Sequence, residues 1–163
     1  MMSRILTRVI YLPVVVIVAA GLVVQSSAQQ QVPFKGELQG HDTDTCFSFP
    51  IACVTTNTTG NSTLLGKFSF TMDWLVNIET GADSGTARFV AANGDVLDAT
   101  FTGLGTGITP DLISFVETFT ITGGTGRFAG AQGSFIVERL ASPVTFITSG
   151  SFDGTITSPG AAD

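Results

Sequence analysis

Hydrophobic and polar side chains alternate along most of the chain after residue 30. The clearest case is "KFSFTMDWLV" at 67–76, where one face carries Phe68, Phe70, Met72, Trp74 and Val76. A period of two is typical of a β-strand with one buried face. No stretch after residue 30 repeats apolar residues at helical spacing, and Thr, Val and Phe are abundant. The pattern therefore predicts an all-β fold.

Seven further strands are predicted between clusters of Gly, Asn, Asp and Ser, which favour turns. They cover about 33–39, 47–55, 84–92, 96–103, 113–122, 133–141 and 144–157. The threonine-rich stretch 55–63 is expected to be a flexible loop. Without a helix to cover a sheet, the chain can form a sandwich or a barrel, and the short sequential connections favour a single antiparallel β-barrel of about eight strands.

Hydrophobic pairing predicts the register of the hairpin around "ANGD" at 92–95. A two-residue turn at Asn93-Gly94 would place Phe89 opposite Asp98. A shift by one residue instead pairs Phe89 with Ala99, and residues opposed in an antiparallel pair share a face. We therefore expect the shifted register, with a longer loop or a bulge at Gly94.

The same reasoning predicts how 113–122 pairs with 133–141. A symmetric pairing of Thr122 with Ser134 places Phe119 opposite Val137 and Glu117 opposite Arg139. Glu117 and Arg139 then form an acid–base pair on an otherwise apolar face.

The first 28 residues are expected to be a secretory signal peptide. Arg4 and Arg8 precede an apolar run from Val9 to Val24, and Ser26 and Ala28 are the small residues before the cleavage point. An uncleaved anchor is the alternative, but the run is short for a membrane span. Residues 29–163 are then one β-barrel domain with its core at about 34–157, secreted or periplasmic.

The charge of the exported chain limits its partners. Two of the seven basic residues lie in the predicted signal, so five basic residues face thirteen acidic ones, a net charge of −8. Nucleic acids and anionic lipids attract clustered Lys and Arg, so we expect no nucleic acid partner and no membrane contact beyond the signal.

Cys46 and Cys53 are the only cysteines and His41 is the only histidine. In an exported chain the two cysteines are expected to form a disulfide. A metal site is poorly supported, because no second cysteine pair exists, so no metal or cofactor is expected. His41, Asp42 and Asp44 in "HDTDT" are expected to be solvated loop residues.

The stretch "GGTGRFAGAQG" at 123–133 contains Gly124, Gly126 and Ala129 at the spacing of a dinucleotide-binding loop. That loop works only between a strand and a helix whose N-terminus meets the pyrophosphate. Here "SFIVERL" follows, which alternates like a strand. The glycines are expected to form a hairpin connection that needs positive φ angles.

The segment "ITGGTGRFAGAQGSFIV" resembles a hairpin of the allene oxide cyclase and dirigent barrel superfamily, and most of all bacterial secreted proteins with an allene oxide cyclase-like barrel. The stretches "GNSTLLGKFS" and "AANGDVLDATFTG" fit the same pattern, so the resemblance covers roughly 34–157. It implies an eight-stranded barrel with an apolar cavity, a homotrimer, and hydrophobic substrates. No catalytic set of the family aligns, and the mature chain lacks tyrosine, since Tyr11 lies in the signal.

The candidate ligand-binding residues are Glu117, Arg139, Phe119, Phe115 and Trp74, and no catalytic residue is assigned. Three interpretations of Glu117 and Arg139 remain open: a buried structural ion pair, a pair that lines a ligand cavity, or an outward-facing surface pair. The leading functional expectation is an exported barrel that binds a small hydrophobic ligand in its interior. The alternatives are an isomerase or cyclase that uses the interior, and a purely structural cell-surface module.

Overall fold

A computed structural model describes residues 30–157, so the predicted signal peptide lies outside the described residues. Eight β-strands follow one another in the chain. They are β1 (Gln31–Ser48), β2 (Ile51–Ser62), β3 (Gly66–Asn77), β4 (Ala82–Ala91), β5 (Val96–Thr109), β6 (Leu112–Gly124), β7 (Gly133–Ala141) and β8 (Ile147–Thr157). The only helical piece within 30–157 is a single 3₁₀ turn at Gly126–Phe128.

Each strand pairs antiparallel with its neighbours in sequence, and β8 pairs back onto β1 from Gln31↔Thr157 to His41↔Ile147. The sheet is therefore a closed barrel without a free edge. This confirms the predicted all-β, eight-stranded antiparallel barrel. The β1–β2, β3–β4, β5–β6 and β7–β8 connections lie at one end, which we call the tip end. The other connections, and residues 30 and 157, lie at the base end.

Alternate residues point into the barrel, as the period of two predicts. In β3, Phe68, Phe70, Met72 and Trp74 are buried, while Val76 is half-buried. In β6, Phe119 is fully buried, whereas the flanking Thr118 and Thr120 are exposed. The interior therefore contains the face that the sequence pattern marks as hydrophobic.

The predicted loops at 55–63 and 41–45 are wrong. β2 runs to Ser62 and β1 to Ser48, and the two strands pair from Gly36↔Ser62 to Ser48↔Ile51. Threonine is β-branched and suits an extended backbone. Thr56 and Thr58 point inward and are buried. Because their side chains are polar, the sequence does not show the hydrophobic alternation that would have identified this stretch as a strand.

The register predicted for the β4–β5 hairpin is wrong by two residues. Phe89 lies opposite Leu97, not Ala99, and both side chains are fully buried. The Ala91 amide donates to the Asp95 carbonyl at 2.9 Å, and Gly94 has a φ of +87°. A three-residue loop that ends in a left-handed glycine accounts for this register.

The β6–β7 register also differs by two residues from the prediction. Phe119 lies opposite Phe135, and Arg139 lies opposite Phe115. Glu117 faces Val137 and is therefore a diagonal neighbour of Arg139. A shift of two keeps every side chain on its face, so hydrophobic pairing could not distinguish the two registers. The glycine-rich segment connects these strands, as predicted, and Gly126 and Gly130 have positive φ angles of 55° and 70°.

Cys46 and Cys53 form the predicted disulfide, with their Cα atoms 4.8 Å apart. The bond crosses from β1 to β2 near the tip of the β1–β2 hairpin, whose turn contains a cis peptide between Phe49 and Pro50. The disulfide therefore joins two strands that are already paired.

Truncation at an inward and at an outward position of β6 should have unequal effects on stability. Phe119→Ala should lower the free energy of unfolding by about 3–5 kcal/mol, because it leaves a cavity among packed rings. Thr118→Ala should change it by less than about 0.5 kcal/mol, because its side chain meets solvent. Urea unfolding followed by the fluorescence of Trp74 measures both; equal effects would contradict the assignment of faces.

Candidate functional site

Glu117 on β6 and Arg139 on β7 form an ion pair inside the barrel, toward the tip end. Arg139 Nη2 lies 2.8 Å from Glu117 Oε1, and Arg139 Nε lies 3.0 and 3.1 Å from Oε1 and Oε2. Glu117 is completely buried and Arg139 is 3% exposed. The predicted pair is thus inward-facing, although the two residues are diagonal and not directly opposed. A charge-assisted pair of this kind fixes the orientation of the guanidinium.

Two aromatic rings enclose the Arg139 guanidinium. Its Cζ lies 4.6 Å from the centre of the Trp74 ring and 4.1 Å from the centre of the Phe115 ring. The two rings meet edge to face at 5.4 Å. Cation–π contacts stabilise a guanidinium that has been withdrawn from water.

A hydrogen-bonded chain joins Trp74 to the same cluster through β2 and β1. The Trp74 indole N–H donates to Thr56 Oγ1 at 3.0 Å, and the Thr56 hydroxyl donates to Asp42 Oδ1 at 2.6 Å. Asp42 Oδ2 lies 3.6 Å from Arg139 Nη1, which also donates to Thr148 Oγ1 at 3.4 Å. Asp42 therefore faces the barrel interior, and its predicted place in a solvated loop is wrong.

Asp83, an inward residue near the start of β4, is the third acid of the cluster. It is 5% exposed, and neither carboxyl oxygen has a hydrogen-bond partner among the described residues. It approaches Glu117 across Gly103 of β5: a Cβ on Gly103 would lie 2.6 Å from Glu117 Cγ and 2.7 Å from Asp83 Oδ1. The absence of a side chain at Gly103 lets the two acids come together.

The cluster thus holds three carboxyl groups and one guanidinium in a region withdrawn from water. The pKa of Asp83 is raised from 3.8 to about 7, mainly by burial and also by the nearby Glu117, while Arg139 opposes the rise. Burial also raises the pKa of Glu117 and of Asp42, and Arg139 opposes both shifts. A carboxyl group with a pKa near neutrality can hold a proton and release it close to physiological pH.

Phenylalanine rings fill the interior between this cluster and the base end. Phe119 stacks between Phe101 and Phe135, with ring centres 4.6 and 4.9 Å apart. Phe34 packs within 5.2 Å of Phe135 and 4.8 Å of Phe152. Phe119 is therefore part of the packed core, whereas the other four candidate residues, Glu117, Arg139, Phe115 and Trp74, meet in the polar cluster.

Two depressions stand out on the described surface, and both are open to solvent. The larger is lined mostly by outward residues of β1, β2, β7 and β8, such as Glu37, Asn61 and Ser151. The smaller lies beside the β6–β7 connection at the base end. Neither includes the Asp83 carboxyl group.

Sequence reasoning missed four members of the cluster: Asp42, Thr56, Asp83 and Thr148. The alternation in β4 marks Asp83 as inward together with Ala87, Phe89 and Ala91. The sequence contained this signal, because Asp83 lies four residues before Ala87 and a period of two places both on the same face. Asp42 and Thr56 became recognisable only when β1 and β2 were seen to extend through stretches that resemble loops.

No protein-family model, curated protein or solved structure matches this chain. Residues 30–157 contain no helix long and apolar enough to cross a membrane. They also contain no group of three or more His, Cys, Asp or Glu side chains arranged to hold a metal ion.

Asp83→Asn should change how stability depends on pH. A pKa raised to about 7 in the folded state, against 3.8 unfolded, stabilises the wild type at low pH, and this contribution is lost as pH rises through 7. The free energy of unfolding of the variant should exceed that of the wild type by up to about 4 kcal/mol at pH 8, and by roughly 2–3 kcal/mol less than this at pH 5. Thermal unfolding across this range measures it; exposed Asp73→Asn is the control and should follow the wild type.

The cluster also predicts an order among variants of the ion pair. Arg139→Met should lower the free energy of unfolding by about 3–5 kcal/mol, because it leaves three carboxyl groups buried without a cation. The double variant Glu117→Leu, Arg139→Met should be more stable than Arg139→Met alone, since it removes one of those acids. Denaturant unfolding at pH 7 compares them; a double variant as unstable as the sum of the single effects would contradict the coupling.

Proposed function

We propose that the protein is an exported β-barrel that binds a small, mainly hydrophobic molecule at the tip end of the barrel, beside the polar cluster. The observation that carries the proposal is Asp83, whose two carboxyl oxygens are buried and have no partner within the described chain. An unpaired buried carboxyl group costs free energy, and a buried acid with a strongly raised pKa is a candidate for a functional site.

The chemistry of the cluster suggests the class of ligand. Asp83 offers an acceptor when ionised and a donor when protonated, so it suits a hydroxyl, amine or carbonyl group. Trp74 and Phe115 supply apolar surface beside it. A hydrophobic body with one polar group matches this combination.

A strip of glycines supports a binding position at the end of the barrel. Gly103, Gly105 and Gly107 are the inward positions of β5 from the cluster toward the tip end. The Phe115 ring lies against Gly105, and nothing lies within 4 Å of a Cβ built on Gly107. Rotation of Phe115 away from Gly105 would open a path from solvent to Glu117 and Asp83. Since rings fill the centre, the ligand belongs at this end and not in the middle of the barrel.

Export is part of the proposal. The disulfide between Cys46 and Cys53 supports it, because disulfides persist in oxidising compartments outside the cytosol. The N-terminal pattern of Arg4, Arg8 and the apolar run to Val24 supports it independently.

An isomerase or cyclase is the second candidate, and the pKa of Asp83 near 7 favours it. A carboxyl group that gains and loses a proton at neutral pH, beside an acid and a guanidinium, suits proton transfer to or from a bound substrate. The third candidate, a purely structural module, draws support from the ring-filled interior. Ligand binding distinguishes the first two from the third.

The binding proposal predicts that a ligand co-purifies with the protein. Native mass spectrometry of protein purified from its own host should show a co-purifying apolar molecule, and a lipid and terpenoid panel should contain compounds that raise the melting temperature. Asp83→Asn should weaken binding at least tenfold, because a hydrogen bond to a charged group contributes about 1.5–3 kcal/mol and about 1.4 kcal/mol corresponds to a factor of ten. Outward-facing Asp73→Asn should bind like the wild type.

Absence of both a bound molecule and a thermal shift would overturn the binding proposal and leave the structural module. If a ligand is found, its conversion by the wild type and not by Asp83→Asn or Glu117→Gln would favour the enzyme.

A further inference from the structure

The two ends of the barrel differ in their exposed hydrophobic side chains. Each of the four hairpins at the tip end exposes large apolar side chains, either in its connection or in the adjoining end of a strand, and Phe47, Phe49 and Val144 are each more than 60% exposed. We call these residues the apolar tips; they are Phe47, Phe49, Ile78, Ile108, Val144, Phe146 and Ile147. The described connections at the base end, 63–65, 92–95 and 125–132, present none.

The two ends of the barrel also differ in the charged side chains that they expose. The exposed cations of residues 30–157 lie in the base half of the barrel: Lys35, Lys67, Arg88 and Arg127. Arg139 lies toward the tip end but is buried. Asp44, Glu79 and Asp111 are exposed close to the apolar tips.

This combination decides among the partners that an apolar surface can have. Two copies meeting tip to tip would bring the acids of both together, which like-charge repulsion opposes. An anionic lipid surface would repel the same acids. A zwitterionic lipid surface offers hydrocarbon to the tips and positively charged ammonium groups to the acids around them. The tips project from four separate hairpins, so together they can enter a flat interface without a groove in the partner.

We propose that the apolar tips insert into the surface of a bilayer of zwitterionic lipid. Burial of exposed Phe, Ile and Val side chains drives the binding, as for other proteins that lie on membranes without crossing them. The negative charge still disfavours anionic lipid, as the sequence predicts, but the tips need no cations. Residues 30 and 157 lie at the base end, so the tips are clear of the points where the described chain begins and ends.

Docking in this orientation turns the glycine strip of β5 and the polar cluster toward the lipid. A hydrophobic ligand could then pass from the bilayer to Asp83 without crossing water. This consequence uses the proposed function, but the docking does not: it depends on the tips and the charges alone.

The test is co-flotation of the protein with phosphatidylcholine vesicles. We expect binding to these vesicles and weaker binding when anionic lipid is added. Phe47→Ser, Phe49→Ser together should lower the partition coefficient by about tenfold or more, since each ring loses its transfer into an apolar environment. The N-terminal segment is the same in every variant, so a difference between variants reports on the tips.

A matched pair of isoleucines provides the control. Ile108 is 56% exposed at the tip end, and Ile136 is 47% exposed on the outer wall of β7. Ile108→Ser should reduce vesicle binding severalfold, and Ile136→Ser should leave it unchanged. Circular dichroism checks that each variant keeps its β-sheet signal.

A second measurement reports the depth of insertion. Trp74 is buried, so the wild type should show little fluorescence quenching by brominated phosphatidylcholine, whereas Phe49→Trp should be strongly quenched. No binding to phosphatidylcholine, stronger binding to anionic vesicles, or equal losses for Ile108→Ser and Ile136→Ser would overturn the proposal. Self-association that the tip variants abolish, without vesicle binding, would assign the surface to a second copy instead.

Discussion

Closure of the sheet between β1 and β8 is the constraint on which the rest of the structure depends. It pairs both strands that would otherwise be edges, and it directs every second side chain into one narrow space. The interior of an eight-stranded barrel is just wide enough to be filled by side chains or to hold one small ligand. Phenylalanine rings occupy its centre with centre-to-centre distances of about 4.5–6.4 Å.

The polar cluster shows how such an interior accommodates charge. Arg139 neutralises the charge of Glu117 directly and that of Asp42 at a longer distance. The indole N–H of Trp74 donates to Thr56, and the hydroxyl of Thr56 donates to Asp42. Asp83 is the exception, because no donor reaches it. In a medium of low dielectric constant the unpaired acid responds by holding its proton, which explains the raised pKa. The cluster is therefore one coupled group, in which a change at any acid alters the others through Arg139.

The kinds of side chain change along the barrel axis from the base end to the tip end. Exposed cations lie toward the base end, and aromatic rings fill the centre. The polar cluster lies between these rings and the tip end, where the apolar tips are exposed. Large exposed apolar side chains gathered at one end of a protein mark a surface that contacts another protein or a membrane. The proposed ligand site and the proposed lipid contact both lie at this end, and each has its own test.

The alternation in strands such as β3, β4 and β6 determined the fold class and the membership of the core by itself, because a period of two allows only one buried face. It also placed Glu117, Arg139, Phe115 and Trp74 on inward faces. The disulfide was predicted from the presence of only two cysteines in a chain whose N-terminal pattern predicts export. Only the tertiary structure decided the registers, since a slip of two residues leaves every face unchanged. It also decided that Asp42 and Thr56 belong to a wall and that Asp83 meets Glu117 across Gly103. These contacts join residues on different strands, and their distances follow from how the closed barrel is staggered, which no local pattern contains.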